Sequence, residues 1–133
     1  MNGTSVRVDL RIMGDVYDVQ EISRELRITP TDTWKMGDFI RNTGKKYKYT
    51  GWLYSIGEEE TLDINTQLKK LEDVFLPKED ILCRLKSKYN LDFSIDIVIY
   101  IENQSPPAIY LESPIIEFAA NLGARFDMDT YVH

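Results

Sequence analysis

Reactive side chains are scarce in this 133-residue chain. Its single cysteine, Cys83, excludes an internal disulfide and any multi-cysteine zinc site. With Leu82 and Leu85 as neighbours, Cys83 reads as a buried structural thiol, and no motif supplies it with a base. The one histidine, His133, is the last residue, where ordered catalytic geometry is hard to hold. Ser55 lacks both a nucleophile elbow and a sequence-linked histidine. Gly37 and Gly44 stand outside any complete phosphate-loop pattern. No apolar run approaches the roughly 20 residues that cross a bilayer. Met1-Asn2-Gly3-Thr4 has neither region of a secretory signal, so no membrane partner and a cytoplasmic location are expected. These absences leave no catalytic residue and no cofactor to assign; hydrolase chemistry remains only a weakly supported alternative.

Apolar material is ample, at 43% of the chain. That suits one α+β domain over residues 1–133, with flexible termini at 1–4 and 132–133. Charge is unevenly spread. The formal total is −6, yet residues 35–50 hold five basic side chains and one acidic one, a balance of +4. The remaining eleven basic and twenty-one acidic residues leave −10 elsewhere, which disfavours general nucleic-acid binding. The basic segment suits an acidic partner or anion, or it is a solvated loop.

Val6, Val8, Leu10 and Ile12 alternate with Arg7, Asp9, Arg11 and Met13, the period of a strand with one apolar face. Gly14-Asp15 breaks the run. Asp18 and Glu21 are expected to satisfy backbone donors at the start of a helix that buries Val19, Ile22 and Leu26, and Pro30 ends it. Residues 31–46 read as a long loop or irregular helix anchored by Trp34. A central strand is expected near 47–56, with Tyr49 and Leu53 on one side and Trp52 and Tyr54 on the other. Glu58, Glu59 and Glu60 then read as a solvated break.

Ile64, Leu68, Leu71 and Phe75 have the spacing of an amphipathic helix. A second helix follows, with Pro77 in its first turn and Ile81, Leu82 and Leu85 on its packing side. The clearest strand is the row Phe93, Ile95, Ile97, Ile99 and Ile101, opposite Ser94, Asp96, Val98 and Tyr100. A short strand is expected at 108–111, then a helix capped by Ser113 with Pro114 first and Gly123 at its end. Arg125, Asp127, Asp129 and Tyr131 form one side of a final strand, with Phe126, Met128, Thr130 and Val132 on the other. The expected fold is an α+β two-layer sandwich. Its sheet has five mainly antiparallel strands with helices on one face, a pattern that accommodates a ferredoxin-like core with an inserted helical hairpin.

Several short motifs along this path carry a resemblance. They are Gly14-Asp15, the Ile22-to-Ile28 helix, Thr29-Pro30-Thr31, Trp34, Gly37, Asp38, Trp52 with Ser55, Leu122-Gly123-Ala124, and Asp127, Asp129 and Tyr131. On these the chain resembles the bacterial uncharacterised proteins of the domain of unknown function 4279 family. The resemblance implies a small intracellular α/β domain and an association with toxin–immunity systems, and it supplies no catalytic mechanism. Arg27 stands where such proteins often carry a Leu-Gly pair, so that helix end is expected to cap differently.

Two constellations invite function. Asp127 and Asp129, two apart on a strand, suit a hard cation if Asp9, Asp15 or Asp96 approaches; structural pairing or solvation is the favoured alternative, and no metal is assigned. Trp34, Asp38, Arg41 and Tyr49 offer aromatic area and a guanidinium for a carboxylate or phosphate, unless Asp38 simply pairs with Arg41. The candidate binding residues are therefore Arg7, Arg11, Trp34, Asp38, Arg41, Tyr49, Trp52, Asp127, Asp129 and Tyr131. The leading expectation is a non-enzymatic binding protein, an immunity or regulatory factor, whose acidic surface attracts a basic protein. The alternative is a small anionic ligand beside Trp34, with Arg41 and one or more of Lys45, Lys46 and Lys48 facing inward. A homodimer through an exposed edge, formed by the first or last strand, is the third.

Overall fold

Val6, Val8, Leu10 and Ile12 are fully buried on one face of strand β1 (Ser5–Gly14), as their alternation requires. A computed structural model describes residues 2–133. After β1 come α1 (Val19–Leu26), β2 (Asp32–Trp34), β3 (Thr50–Glu60) and α2 (Asn65–Phe75). A 3-10 turn (Leu76–Lys78) leads into α3 (Glu79–Tyr89), followed by β4 (Asp92–Ile101), α4 (Ser113–Leu122) and β5 (Arg125–Val132). The α+β sheet has the order β2-β3-β1-β4-β5 and is antiparallel except for the parallel β4–β5 pair. The β1 row meets Phe93, Ile95, Ile97 and Ile99 of β4, Leu68, Leu71 and Phe75 of α2, and Ile115 and Phe118 of α4 in one core.

Because β4–α4–β5 links neighbouring strands directly, the connectivity differs from the split β-α-β of a ferredoxin-like core. β1 lies in the middle of the sheet and cannot be the edge of a dimer. Among the described residues the open sides are those of β2 and β5 and of the part of β3 beyond its three-residue pairing with β2, and β4 is internal as its apolar alternation implied.

Several expected boundaries move, each for a local reason. The 31–46 segment contains β2 and an isolated Phe39–Lys46 bridge. The three glutamates extend β3 instead of breaking it. Ser5 Oγ donates to Glu58 at 2.8 Å, Lys70 pairs with Glu59, and the amides of Asn2 and Gly3 donate to Glu60 at 2.9 and 3.1 Å. The register with β1 slips between Arg7 and Asp9, near Gly57, whose φ of 87° is cheap only for glycine. Buried Gln67 of α2 donates to the Val6 and Gly57 carbonyls at 3.0 and 2.5 Å, closing that irregularity from the core side.

Residues 108–111 form no strand. Ala108 makes one bridge to Asp63, and this stretch binds the start of α2 through Ile64 N–H to Ala108 O and Asn65 Nδ2 to Tyr110 O. Ser113 is the first residue of α4, Glu112 is its cap without a side-chain bond, and Pro114 sits in the first turn. Asp18 does cap α1, accepting from Gln20 N–H at 2.9 Å. Glu21 turns away to Tyr89 and Lys88 instead of reaching back to the helix start. Arg27 takes the left-handed α1 cap at φ 57°, the conformation glycine adopts cheaply. Gly123 ends α4 at φ 64°. Cys83 is half-buried, not buried, and burial raises its thiol pKa. Of the termini, Thr4 is buried and donates to Ser105 O at 2.5 Å, and His133 N–H donates to Ile101 O at 3.0 Å; Met1 lies outside the described residues. Among the described residues, no helix is long and apolar enough to cross a membrane.

Candidate functional site

Odd-numbered residues of β1 and β5 and even-numbered residues of β4 share the sheet face opposite the core, so the register decides which charges meet. Asp9 lies opposite Asp96, and Asp96 opposite Asp127, a row of three carboxylates across three strands. On one side of it runs the row Arg7, Val98 and Asp129; on the other runs Arg11, Ser94 and Arg125. Like charges facing one another cost stability unless each finds a partner. Arg7 Nε accordingly contacts Asp9 Oδ2 at 3.2 Å, and Arg11 Nη2 contacts Asp96 Oδ2 at 2.8 Å. Ser94 Oγ donates to Asp96 Oδ1 at 2.6 Å, and Arg11 Nη1 donates to the Tyr49 hydroxyl at 3.2 Å. Burial works against the Arg11 charge, but Asp96 and Tyr49 outweigh it and raise its pKa. Asp9 and Asp96 are only 5% and 9% exposed, deep for carboxylates.

Trp34 forms one wall. It ends β2 opposite Gly51, and a Cβ at position 51 would run into its ring. The ring stacks on Tyr47 at 4.9 Å and meets Tyr49 edge-on at 5.9 Å. Between Trp34, Leu53 and Val98 and the charged groups of Arg7, Asp9, Arg11, Asp96 and Asp129 lies a depression of about 250 Å³. Three buried polar atoms of its lining residues have no hydrogen-bond partner among the described residues: Asp9 Oδ1, Arg11 Nε and Trp34 Nε1. Each such atom costs about 1–3 kcal/mol relative to a satisfied one. Of the three, Trp34 Nε1 is pressed against Gly51, which pairs with Met13, four residues along β1 from Asp9.

A second hollow of about 660 Å³ lies beside Trp34 and is lined by Asp32, Asp38, Phe39, Arg41 and Tyr47 among others. Arg41 lines it as expected for an anion, but Lys45, Lys46 and Lys48 do not. Lys46 sits over the Phe39 ring at 5.2 Å, and Asp38 accepts from Lys35 N–H at 2.9 Å.

The profile of the family described as Domain of unknown function (DUF4279) matches residues 4–133. The chain belongs to that family. No curated protein and no solved structure matches it.

In this DUF4279 chain the two sequence constellations merge. Arg7, Arg11, Trp34 and Asp129 line one depression, Tyr49 supports it through Arg11, and Asp127 continues its carboxylate row. Asp38 and Arg41 belong to the neighbouring hollow. Tyr131 stands farther along β5, half-exposed and stacked on Tyr100 at 5.4 Å. Trp52 is not a surface contact: it is fully buried, with its indole donating to Ser23 Oγ at 3.0 Å and its ring against Phe75. Among the described residues, no three His, Cys, Asp or Glu side chains are placed to hold a metal ion. The participants outside the candidate binding set are Asp9, which like Asp96 was expected only as a neighbour of Asp127 and Asp129, and Leu53, Ser94, Asp96 and Val98. The β4 alternation put the last three on one face, but only the register to β1 brings them to Arg7, Asp9 and Arg11.

Proposed function

We propose that this chain is a non-catalytic, cytoplasmic binding protein, an immunity or regulatory factor, that receives a basic polypeptide on the open face of its sheet. The observation that carries the reading is the β5 side of that face. Asp127 extends the Asp9–Asp96 row outward, Asp129 and Tyr131 farther along the strand are exposed, and the strand has an unpaired edge. The −10 balance outside residues 35–50 adds long-range attraction, which speeds encounter and sets orientation. The test is to recover the partner from the source cell and measure its affinity against salt concentration. Replacing Asp127 and Asp129 together by Asn is expected to weaken it about tenfold at low salt and to flatten the salt dependence. Unchanged affinity in that variant, or no partner recovered under conditions that preserve weak complexes, removes the reading.

A small anion beside Arg41 is the second reading, favoured by the 660 Å³ hollow. Asp32 and Asp38 face the same space and oppose an anion there. A ligand retained in native mass measurements and lost on Arg41→Ala would support it.

A further inference from the structure

We propose that the outer edge of β5 takes up an extended segment of the basic partner as a sixth strand, one in which Lys or Arg alternates with apolar residues. This mode of binding rests on the basic-partner reading above and specifies how that partner is held. Among the described residues, β5 is the open edge that is both long and regular. β2 has three residues. The open part of β3 ends in Glu58, Glu59 and Glu60, already answered by Ser5, Lys70 and the amides of Asn2 and Gly3. β5 runs for eight residues in unbroken register with β4, without the proline, lysine or bulge that commonly blocks a free edge.

Parity fixes what this edge offers. Successive residues of a strand turn their N–H and C=O groups to opposite edges, and His133 N–H donates to Ile101 O at 3.0 Å. The odd-numbered groups of β5 therefore face β4. Those of Phe126, Met128, Thr130 and Val132 face outward, and no strand pairs with them among the described residues. Side chains alternate as well. Asp127 and Asp129 stand on the open face, and neither has an ion-pair partner among the described residues. Met128 and Val132 stand on the other face, 42% and 71% exposed. An added strand meets carboxylates on one face and apolar side chains on the other, the complement of an alternating basic and apolar sequence. A second copy of this chain fits poorly. The two symmetric antiparallel registers that pair nearly all of β5, about Met128 or about Asp129, set Asp127 opposite Asp129 or Asp129 opposite itself.

The probe is a blocked heptapeptide alternating lysine and valine; its control has the same composition with the valines grouped at the centre. Both are titrated into the ¹⁵N-labelled full chain by NMR, and amide exchange is measured free and at saturating peptide. In the free chain the Asp127 and Asp129 amides are expected to exchange slowly and the Met128 and Thr130 amides quickly. The alternating peptide is expected to slow Met128 and Thr130 about tenfold or more and to bind at least about fivefold more tightly than the control. Thr130→Pro removes one outward N–H, keeps both aspartates and leaves the bonds to β4. It is expected to weaken the alternating peptide about fivefold or more. Strand addition is overturned by lack of saturable binding, by binding that leaves Met128 and Thr130 exchange unchanged, or by equal binding of the two peptides. Undiminished binding by folded Thr130→Pro protein overturns it too; if that variant does not fold, the exchange pattern decides. Protection of Met128 and Thr130 in the chain alone as its concentration rises also overturns it, since the occupant would then be a second copy. The basic-partner reading is judged by the recovered partner's response to the Asp127 and Asp129 replacements, so the two failures show in different measurements.

Discussion

Replacing Gly51 by Ala puts the seat of Trp34 to a direct test. Gly51 has no left-handed backbone to protect, and the three atoms nearest to an added Cβ all belong to the Trp34 indole. The methyl group therefore has one consequence, the eviction of that ring. Evicted, Trp34 loses its stack on Tyr47 and its edge contact with Tyr49. Aromatic pairs of this kind contribute about 0.5–1.5 kcal/mol each. Alanine in a strand interior returns about 0.5–1 kcal/mol relative to glycine, so the net loss expected is about 1–2 kcal/mol. In a Trp34→Ala background no ring remains to be displaced, and the same Gly51→Ala change is expected to reverse sign and stabilise by about 0.5 kcal/mol. Urea denaturation followed by circular dichroism measures all four proteins of the cycle. Trp34 emission in Gly51→Ala should shift to the red as the ring meets water. Equal destabilisation in both backgrounds would refute the reasoning, since the cost would then arise somewhere other than Trp34.

Three further outcomes follow from groups described above. Gln67→Ala removes both donors to the Val6 and Gly57 carbonyls at the β1–β3 irregularity, and is expected to cost about 2–4 kcal/mol in urea denaturation, whereas Lys70→Ala should stay within about 0.5 kcal/mol. Glu21 is held below the usual carboxylate pKa by its hydrogen bonds from Tyr89 and then Lys88, so it binds its proton less readily folded than unfolded. Its contribution is complete above about pH 4.3 and is lost as pH falls through its folded value; Glu21→Gln should therefore flatten the acid limb of a stability-against-pH curve and leave the slope above pH 6 unchanged. Asp96→Asn, at a residue only 9% exposed, deprives Arg11 of its ion-pair partner. It is expected to destabilise by about 1–3 kcal/mol, with Arg11→Met in the same chain recovering part of the loss in thermal unfolding.

Periodicity made the core legible. The alternation at Val6–Ile12 and Phe93–Ile101 and the helical spacing of Ile64, Leu68, Leu71 and Phe75 each follow from one apolar face, and all these side chains but the half-buried Ile101 are buried. Asp18 and Gly123 were legible as caps because a side-chain acceptor and a left-handed backbone are local needs. Glu58 to Glu60 were not legible as strand, since what holds them there are Ser5 and the amides of Asn2 and Gly3, distant in sequence, and Lys70 on the next helix. The site was legible as a charged face but not as a depression. Its shape depends on Trp34 standing opposite Gly51 and on Asp96 standing opposite Asp9, two facts of register. Trp52 misled because aromatic size marks core and contact surface alike, and only its neighbours decide between them.

The central place of β1 has a consequence for how the molecule forms. Residue 5 pairs with residue 60 on one side and with residue 100 on the other. A chain emerging from its N-terminal end thus carries the Val6–Ile12 row through most of its length before β4 exists to complete the sheet. Such distant closure slows folding and leaves an apolar ribbon open to stray pairing. Arg7, Asp9 and Arg11, interleaved with that row, keep the waiting strand charged along its other side, as gatekeeper residues do beside an unavoidable hydrophobic segment. The charges that later shape the depression beside Trp34 would by then have guarded the nascent chain.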